Sequence, residues 1–184
     1  MYLLRHGQSQ FNLLFNKTGK DPGIEDPELT PRGVEQAALA ARELAEVPLT
    51  RIIISPFTRA LQTAQPMLAL HDVPIEIMHL VRERAYFTCD VGSHPDLLAS
   101  RFPHHEFTHL PARWWNEGIE TAEETVERAT AFRALMVERD DSETTLVVSH
   151  WAFIIALTGI SLENGELLEY DPRSGAPHII DWDA

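Results

Sequence analysis

The chain has one cysteine, Cys89, in 184 residues, so it can form no internal disulfide and is not a disulfide-stapled extracellular scaffold. Lysine is nearly as scarce, with only Lys17 and Lys20. Lys+Arg total 15 against 28 Asp+Glu, a formal net charge of −13. Such a chain repels polyanions, which argues against nucleic acid or an anionic membrane surface as partner. No apolar run approaches the roughly 20 residues that span a bilayer. The start of the chain has no basic and apolar leader, because an apolar strand begins almost at Met1, so a cytoplasmic location is the expectation. Internal repeats and low-complexity tracts are lacking too.

What is present suits one ordinary globular core. With 44% hydrophobic residues, a chain of this length buries one good core and is short for two, so a single domain over residues 1–184 is expected. Thr30 followed by Pro31 reads as an N-cap and first helical residue, with Val34, Ala37, Ala38, Ala41, Leu44 and Ala45 as the apolar stripe. Ile75, Ile77 and His79 alternate as a short strand, and Thr121-Ala122-Glu123-Glu124 has the capping-box pattern ahead of a helix to about Arg139. Strands alternating with helices imply an α/β sandwich around a mainly parallel sheet. Residues 17–27 form a polar Gly/Pro-rich loop expected over or beside a crevice. The stretch around 82–120, with Pro95, Pro103, Pro111 and the pair Trp114-Trp115, reads as an insertion of loops and short helices covering a site.

Three segments carry chemistry. Tyr2-Leu3-Leu4 is a short buried strand that delivers Arg5 and His6 to Gly7 and the start of a helix. Unpaired N–H groups at a helix start, a planar guanidinium fork and an imidazole together suit a phosphate. The tripeptide alone reads more readily as a basic pair capping the end of a strand. Two later segments change that reading: Arg51 to Ser55 is a strand leading into a helix with Arg59 in its first turn, and Thr145 to Ser149 is a strand ending at His150, followed by a helix from Trp151 that Gly159 closes. In a parallel sheet these strand ends line one crevice, where Arg5, His6, Arg59 and His150 meet.

In this order, Arg5-His6-Gly7, the Ser55-Pro56-x-x-Arg59-Ala60-x-x-Thr63-Ala64 helix and Val148-Ser149-His150 resemble the histidine phosphatase superfamily, the phosphoglycerate mutase-like proteins, from Met1 to about Gly159. The resemblance implies an α/β three-layer sandwich with a mainly parallel central sheet. It also implies a metal-independent, cofactor-free phosphatase acting on a small phosphorylated substrate. Neutral His6 would attack phosphorus in line and become a phosphohistidine, and Arg5, Arg59 and His150 would stabilise the equatorial oxygens. By the same resemblance Glu83, just after the third strand, is the proton donor, and Asn12 contacts the phosphate. Glu76, Asp90 and Glu106 are the alternative carboxyls, and an ordinary solvated carboxylate is the plain alternative for Glu83.

The chain also departs from the family pattern. Trp151 follows the second histidine where a small residue is common, and brings a large ring to the edge of the substrate site. The Gly-x-Trp-Glu-Gly-like stretch frequent in mutases is replaced by residues 84–92, which favours hydrolysis over mutase-type phosphoryl transfer. Two other classes stay open: a phosphate-binding module without turnover, and a zinc site among His94, His104, His105 and His109, although Pro103 and Pro111 interrupt any ligand spacing there. Oligomeric state is not legible, a homodimer included.

Overall fold

The computed structural model describes residues 1–175; residues 176–184 of the expected domain lie outside them. Five strands, β1 (Tyr2–Arg5), β2 (Arg51–Ile54), β3 (Ile75–Ile77), β4 (Thr145–Ser149) and β5 (Leu167–Glu169), form one sheet in the order β3-β2-β4-β1-β5. The first four are parallel, and β5 runs antiparallel beside β1 with Leu3 opposite Leu168. β5 is the element that sequence patterning missed, since three residues carry no readable period.

Alternation along the strands sorts the core into two layers, because successive side chains point to opposite faces. Leu4, Ile52, Ile54, Leu146 and Val148 face α2 (Pro31–Leu44) and α3 (Thr58–Leu68). Leu3, Ile53 and Val147 face α5 (Ala122–Val137) and α6 (Trp151–Thr158). The result is the expected α/β three-layer sandwich. The remaining helices are α1 (Gln10–Thr18), after β1, and the short α4 (Pro95–Arg101).

The helix starts follow the sequence signals. Thr30 Oγ1 accepts from Gly33 N at 3.1 Å and Thr121 Oγ1 from Glu124 N at 3.2 Å, while Gly159, with φ of 73°, closes α6. Three details differ from expectation. The buried stripe of α2 is Gly33, Ala37, Ala40, Ala41 and Leu44, with Val34 and Ala45 exposed, so the helix is rotated away from the predicted face. The cause is at Gly33: a Cβ there would strike the Gln8 carbonyl, and a Cβ on Gly7 would strike the Gly33 carbonyl. Only two glycines let the Arg5-His6-Gly7 strand end lie against the start of α2. The third strand stops at Ile77, and His79 belongs to a 3₁₀ turn, His79–Val81. Finally, Lys17 lies in the last turn of α1, not in the loop after it.

The 82–120 stretch divides in two. Leu98, Phe102, Phe107, Leu110 and Trp114 are buried against α3 and the sheet, because their apolar surface belongs to the core. Residues 83–90 turn the other way and reach the crevice at the carboxyl ends of the strands.

Candidate active site

That crevice is a cavity of about 480 Å³. Arg5, His6, Asn12, Arg59, Glu83 and Trp151 all line it. His150 does not, but is fully buried beside His6, their ring centroids 5.0 Å apart. Residues 17–27 do not line it either, contrary to expectation. Instead the loop is tied down at its side: Asp21 accepts from Thr88 N at 2.8 Å, and Asp26 from Thr58 N at 2.8 Å and Ser93 Oγ at 2.6 Å. Asp26 thereby serves the start of α3, which has no side-chain cap of its own.

The imidazole of His6 is held in one tautomer. Nδ1 lies 2.7 Å from the Gly7 carbonyl, and because a carbonyl only accepts, Nδ1 carries the proton. Nε2 keeps its lone pair and has no hydrogen-bond partner among the described residues. Burial, then the charges of Arg59 and Arg5, hold the ring's pKa well below its ordinary 6.5, so it is neutral at physiological pH. His150 is shifted the same way, by burial first and then by Arg59. Its Nε2 is 2.7 Å from Ser55 Oγ, and its Nδ1 is buried without a partner among the described residues.

The two guanidiniums are anchored differently. Arg5 donates Nη1 to the Leu162 carbonyl at 2.6 Å, while its buried Nε has no partner among the described residues. Burial lowers its pKa from the ordinary guanidinium value, and arginine in proteins stays a cation. Arg59, 2% exposed, donates to the Cys89 carbonyl at 2.8 Å and to Asp90 Oδ1 at 3.2 Å, and its guanidinium carbon lies 4.2 Å from the centre of the Phe57 ring. Buried polar groups ordinarily find partners, yet Arg5 Nε and His150 Nδ1, like nitrogens of His71, Arg82, His105 and Arg133, have none among the described residues.

Glu83 stands where the resemblance puts the acid. Oε1 accepts from Arg84 N at 2.9 Å and from Ala152 N, in the first turn of α6, at 3.0 Å. Burial first, and then the neighbouring charge of Asp90, raise its pKa from 4.5 to about 6, with Arg59 and Arg5 opposing. Of the alternative carboxyls only Asp90 lines the cavity; burial raises its pKa, but it is engaged by Arg59 and by the backbone N–H groups of Tyr86 and Phe87 at 3.1 and 3.0 Å. Glu76 is paired with Arg139 at 2.9 Å, and it lines a different cavity together with Glu106.

Sequence reasoning missed the groups that support these side chains. Arg128 and Glu120 form a buried bidentate pair, Nε to Oε1 at 2.9 Å and Nη2 to Oε2 at 2.8 Å. Arg128 Nη1 also donates to the Leu80 and Arg82 carbonyls, both at 2.8 Å, gripping the segment that carries Glu83. Asn164 donates to the His6 carbonyl at 3.1 Å and to Asn12 Oδ1 at 3.3 Å. Asn12 Oδ1 also accepts from Ser9 N at 3.0 Å, and the two N–H donors of the Asn12 amide have no partner among the described residues. Signals for such pairs, separated by loops, are absent from local patterning.

Three of the four clustered histidines do other work: His94 accepts from Asp96 N at the start of α4, His109 contacts the Ile77 carbonyl at 2.7 Å, and the His105 ring lies tilted beside Phe102 and edge-on to Phe107. Among the described residues no three His, Cys, Asp or Glu side chains are grouped to hold a metal ion, and no helix is long and apolar enough to cross a membrane.

Comparison with known proteins finds relatives in sequence and in fold. The chain is 27% identical over 190 residues to the adenosylcobalamin/alpha-ribazole phosphatase of Salmonella typhimurium, covering 98% of this chain and 89% of that one. It is 27% identical over 172 residues to phosphoserine phosphatase 1 of Hydrogenobacter thermophilus, covering 88% and 77%. In fold it resembles Bacillus stearothermophilus YhfR, with a TM-score of 0.64 at 22% identity over 97% of this chain and 93% of that chain. With a family model matched along residues 1–177, the chain belongs to the histidine phosphatase superfamily, branch 1.

Proposed function

We propose that this protein is a phosphatase that hydrolyses a small phosphate monoester through a phosphohistidine on His6. One observation carries the proposal: His6 has Nδ1 locked to the Gly7 carbonyl and Nε2 unbonded in a cavity that it shares with two guanidiniums.

The substrate phosphate would take the orphaned Nε of Arg5, the Arg59 guanidinium and the Asn12 amide, with His150, buried beside His6 and behind the cavity lining, backing the cradle. Nε2 of His6 attacks phosphorus in line, its lone pair forming the P–N bond as the P–O ester bond breaks. Glu83 gives its proton to the departing oxygen, so an alcohol leaves and not an alkoxide. The carboxylate left behind takes a proton from water as that water attacks phosphorus, and the P–N bond breaks, returning its electron pair to Nε2. Inorganic phosphate leaves and Glu83 is protonated again. Negative charge on the equatorial oxygens is met throughout by fixed cations and N–H donors. Because side chains supply all of these roles, the scheme is metal-independent and uses no cofactor.

Named relatives include phosphatases of phosphoserine and of alpha-ribazole phosphate, which supports hydrolysis over mutase-type transfer. A cytoplasmic setting belongs to the same proposal, as small phosphorylated metabolites are found there. The net charge of −13 supports a small substrate over nucleic acid or a membrane surface.

The test is hydrolysis of p-nitrophenyl phosphate with excess chelator, wild type against His6→Ala. Wild-type turnover should persist, and the variant should lose at least about 10³-fold, more than the 10²–10³ expected for Arg59→Ala. Equal rates for wild type and His6→Ala, or loss of wild-type activity to the chelator, would overturn the scheme.

A further inference from the structure

Beyond the phosphate cradle, the wall of the cavity is aromatic. Phe11 and Phe15 lie one helical turn apart on α1 and stack at 5.2 Å, interplanar angle 14°. Phe87 closes the cluster, its ring 5.2 Å from Phe11 and 5.1 Å from Phe15, and Tyr86 meets Phe87 edge-on at 4.9 Å. Trp151 stands at the rim, 38% exposed, with its indole N–H held by Ser161 Oγ at 2.9 Å. All five rings line the same cavity as His6 and Glu83.

Charge on that wall is limited. Arg5 and Arg59 belong to the cradle, and neither Lys17 nor Lys20 lines the cavity. Of the other cations among the described residues only Arg84 lines the cavity, and it is engaged with the wall: its guanidinium carbon is 5.2 Å from the Tyr86 ring centre, and its Nε donates to the Glu120 carbonyl at 2.8 Å. A substrate with a carboxylate beside its phosphate, such as phosphoserine or a phosphoglycerate, would set that carboxylate against phenyl rings. An aromatic ring there would gain apolar burial and edge-to-face contact.

We infer that the substrate is the phosphate monoester of an alcohol bearing an aromatic ring, seated among Phe11, Phe15, Phe87 and Trp151. The inference rests on the phosphatase reading and deepens it by naming the leaving group. Pocket contacts of this kind discriminate substrates through kcat/KM.

The test compares 2-phenylethyl phosphate with n-propyl phosphate, whose departing alkoxides are of similar basicity, and with phosphoserine. Wild type should favour the phenylethyl ester over the other two by at least about tenfold in kcat/KM. In Phe15→Ala, and in the milder Phe15→Leu and Phe87→Leu, the phenylethyl-to-propyl ratio should fall towards one. Because the ratio is taken within each variant, partial unfolding cancels. Equal kcat/KM for the phenylethyl and propyl esters, a preference for phosphoserine, or an unchanged ratio in all three variants would overturn the inference and leave the phosphatase reading intact. Failure to hydrolyse any ester would overturn both.

Discussion

Replacing Glu83 by Gln should cost a factor that depends on pH and on the leaving group, and both dependences can be worked out beforehand. Gln keeps an Oε1 that accepts from Arg84 N and Ala152 N, so the local structure is retained while the transferable proton is lost. With a pKa of about 6, Glu83 is protonated in roughly ten molecules of eleven at about pH 5, and in roughly one of eleven at about pH 7. General acid catalysis is worth about 10²–10⁴ in rate. The loss in kcat/KM for an alkyl phosphate should therefore be about 10²–10⁴ near pH 5 and about tenfold smaller near pH 7. Ionisation of the substrate itself is common to both enzymes and cancels from the ratio. p-Nitrophenolate is a good leaving group that departs without a proton, so for its ester the loss should stay within about tenfold. Steady-state kinetics of both esters across this pH range provide the assay. An equal loss for both esters, or a loss that does not change with pH, would show that Glu83 is not the acid.

Gly33→Ala should destabilise the fold by at least about 2 kcal/mol, read by urea denaturation, because its Cβ would meet the rigid Gln8 carbonyl; an unchanged midpoint would show that the two segments can part freely. Replacing Arg128 by Met should cost at most about 3–5 kcal/mol, because the buried Glu120 carboxylate loses its bidentate partner and keeps only Arg82 Nη2 and Ala85 N, both at 3.3 Å, and a near-neutral result would mean that Arg82 alone compensates the charge. Stability should also fall on acidification: His6 and His150 have folded pKa values well below 6.5, so the unfolded chain binds more protons as pH drops through 6.5. Glu83 opposes this between about 6 and 4.5, so Glu83→Gln should lose stability more steeply over that window than wild type; identical slopes would contradict the shift.

The strand ends and helix starts were legible because local physics sets them. A run such as Leu146-Val147-Val148 is buried on both faces and can only be a central strand, and the Thr30 and Thr121 caps are written within four residues. Parallel order then brings residues 5, 6, 59 and 150 together without any contact between them being visible in the sequence. The rest depends on loop geometry. Asp90 is 31 residues from Arg59 and meets it only because a 3₁₀ turn, Thr88–Asp90, folds back over α3. Phe11 and Phe15 have helical spacing, but which face of α1 looks into the cavity depends on where Phe87 arrives from another loop.

Electrostatics joins these pieces. An imidazole and a carboxyl free in water would be found mostly in their charged forms near pH 5 to 6, useless as nucleophile and as acid. Burial disfavours the charged form of both, lowering the pKa of His6 and raising that of Glu83. A single physical cause thus shifts the two groups in opposite directions and leaves both neutral over the same range of pH. Arg5 and Arg59 strengthen the effect at His6 and weaken it at Glu83, where Asp90 offsets them in turn. Asp90 therefore has two effects: it holds Arg59 by an ion pair and keeps a proton on the acid across the cavity. If so, Asp90→Asn should move the alkaline limb of the pH profile to lower pH, in the direction of an ordinary carboxyl, while Asp90→Glu should restore it.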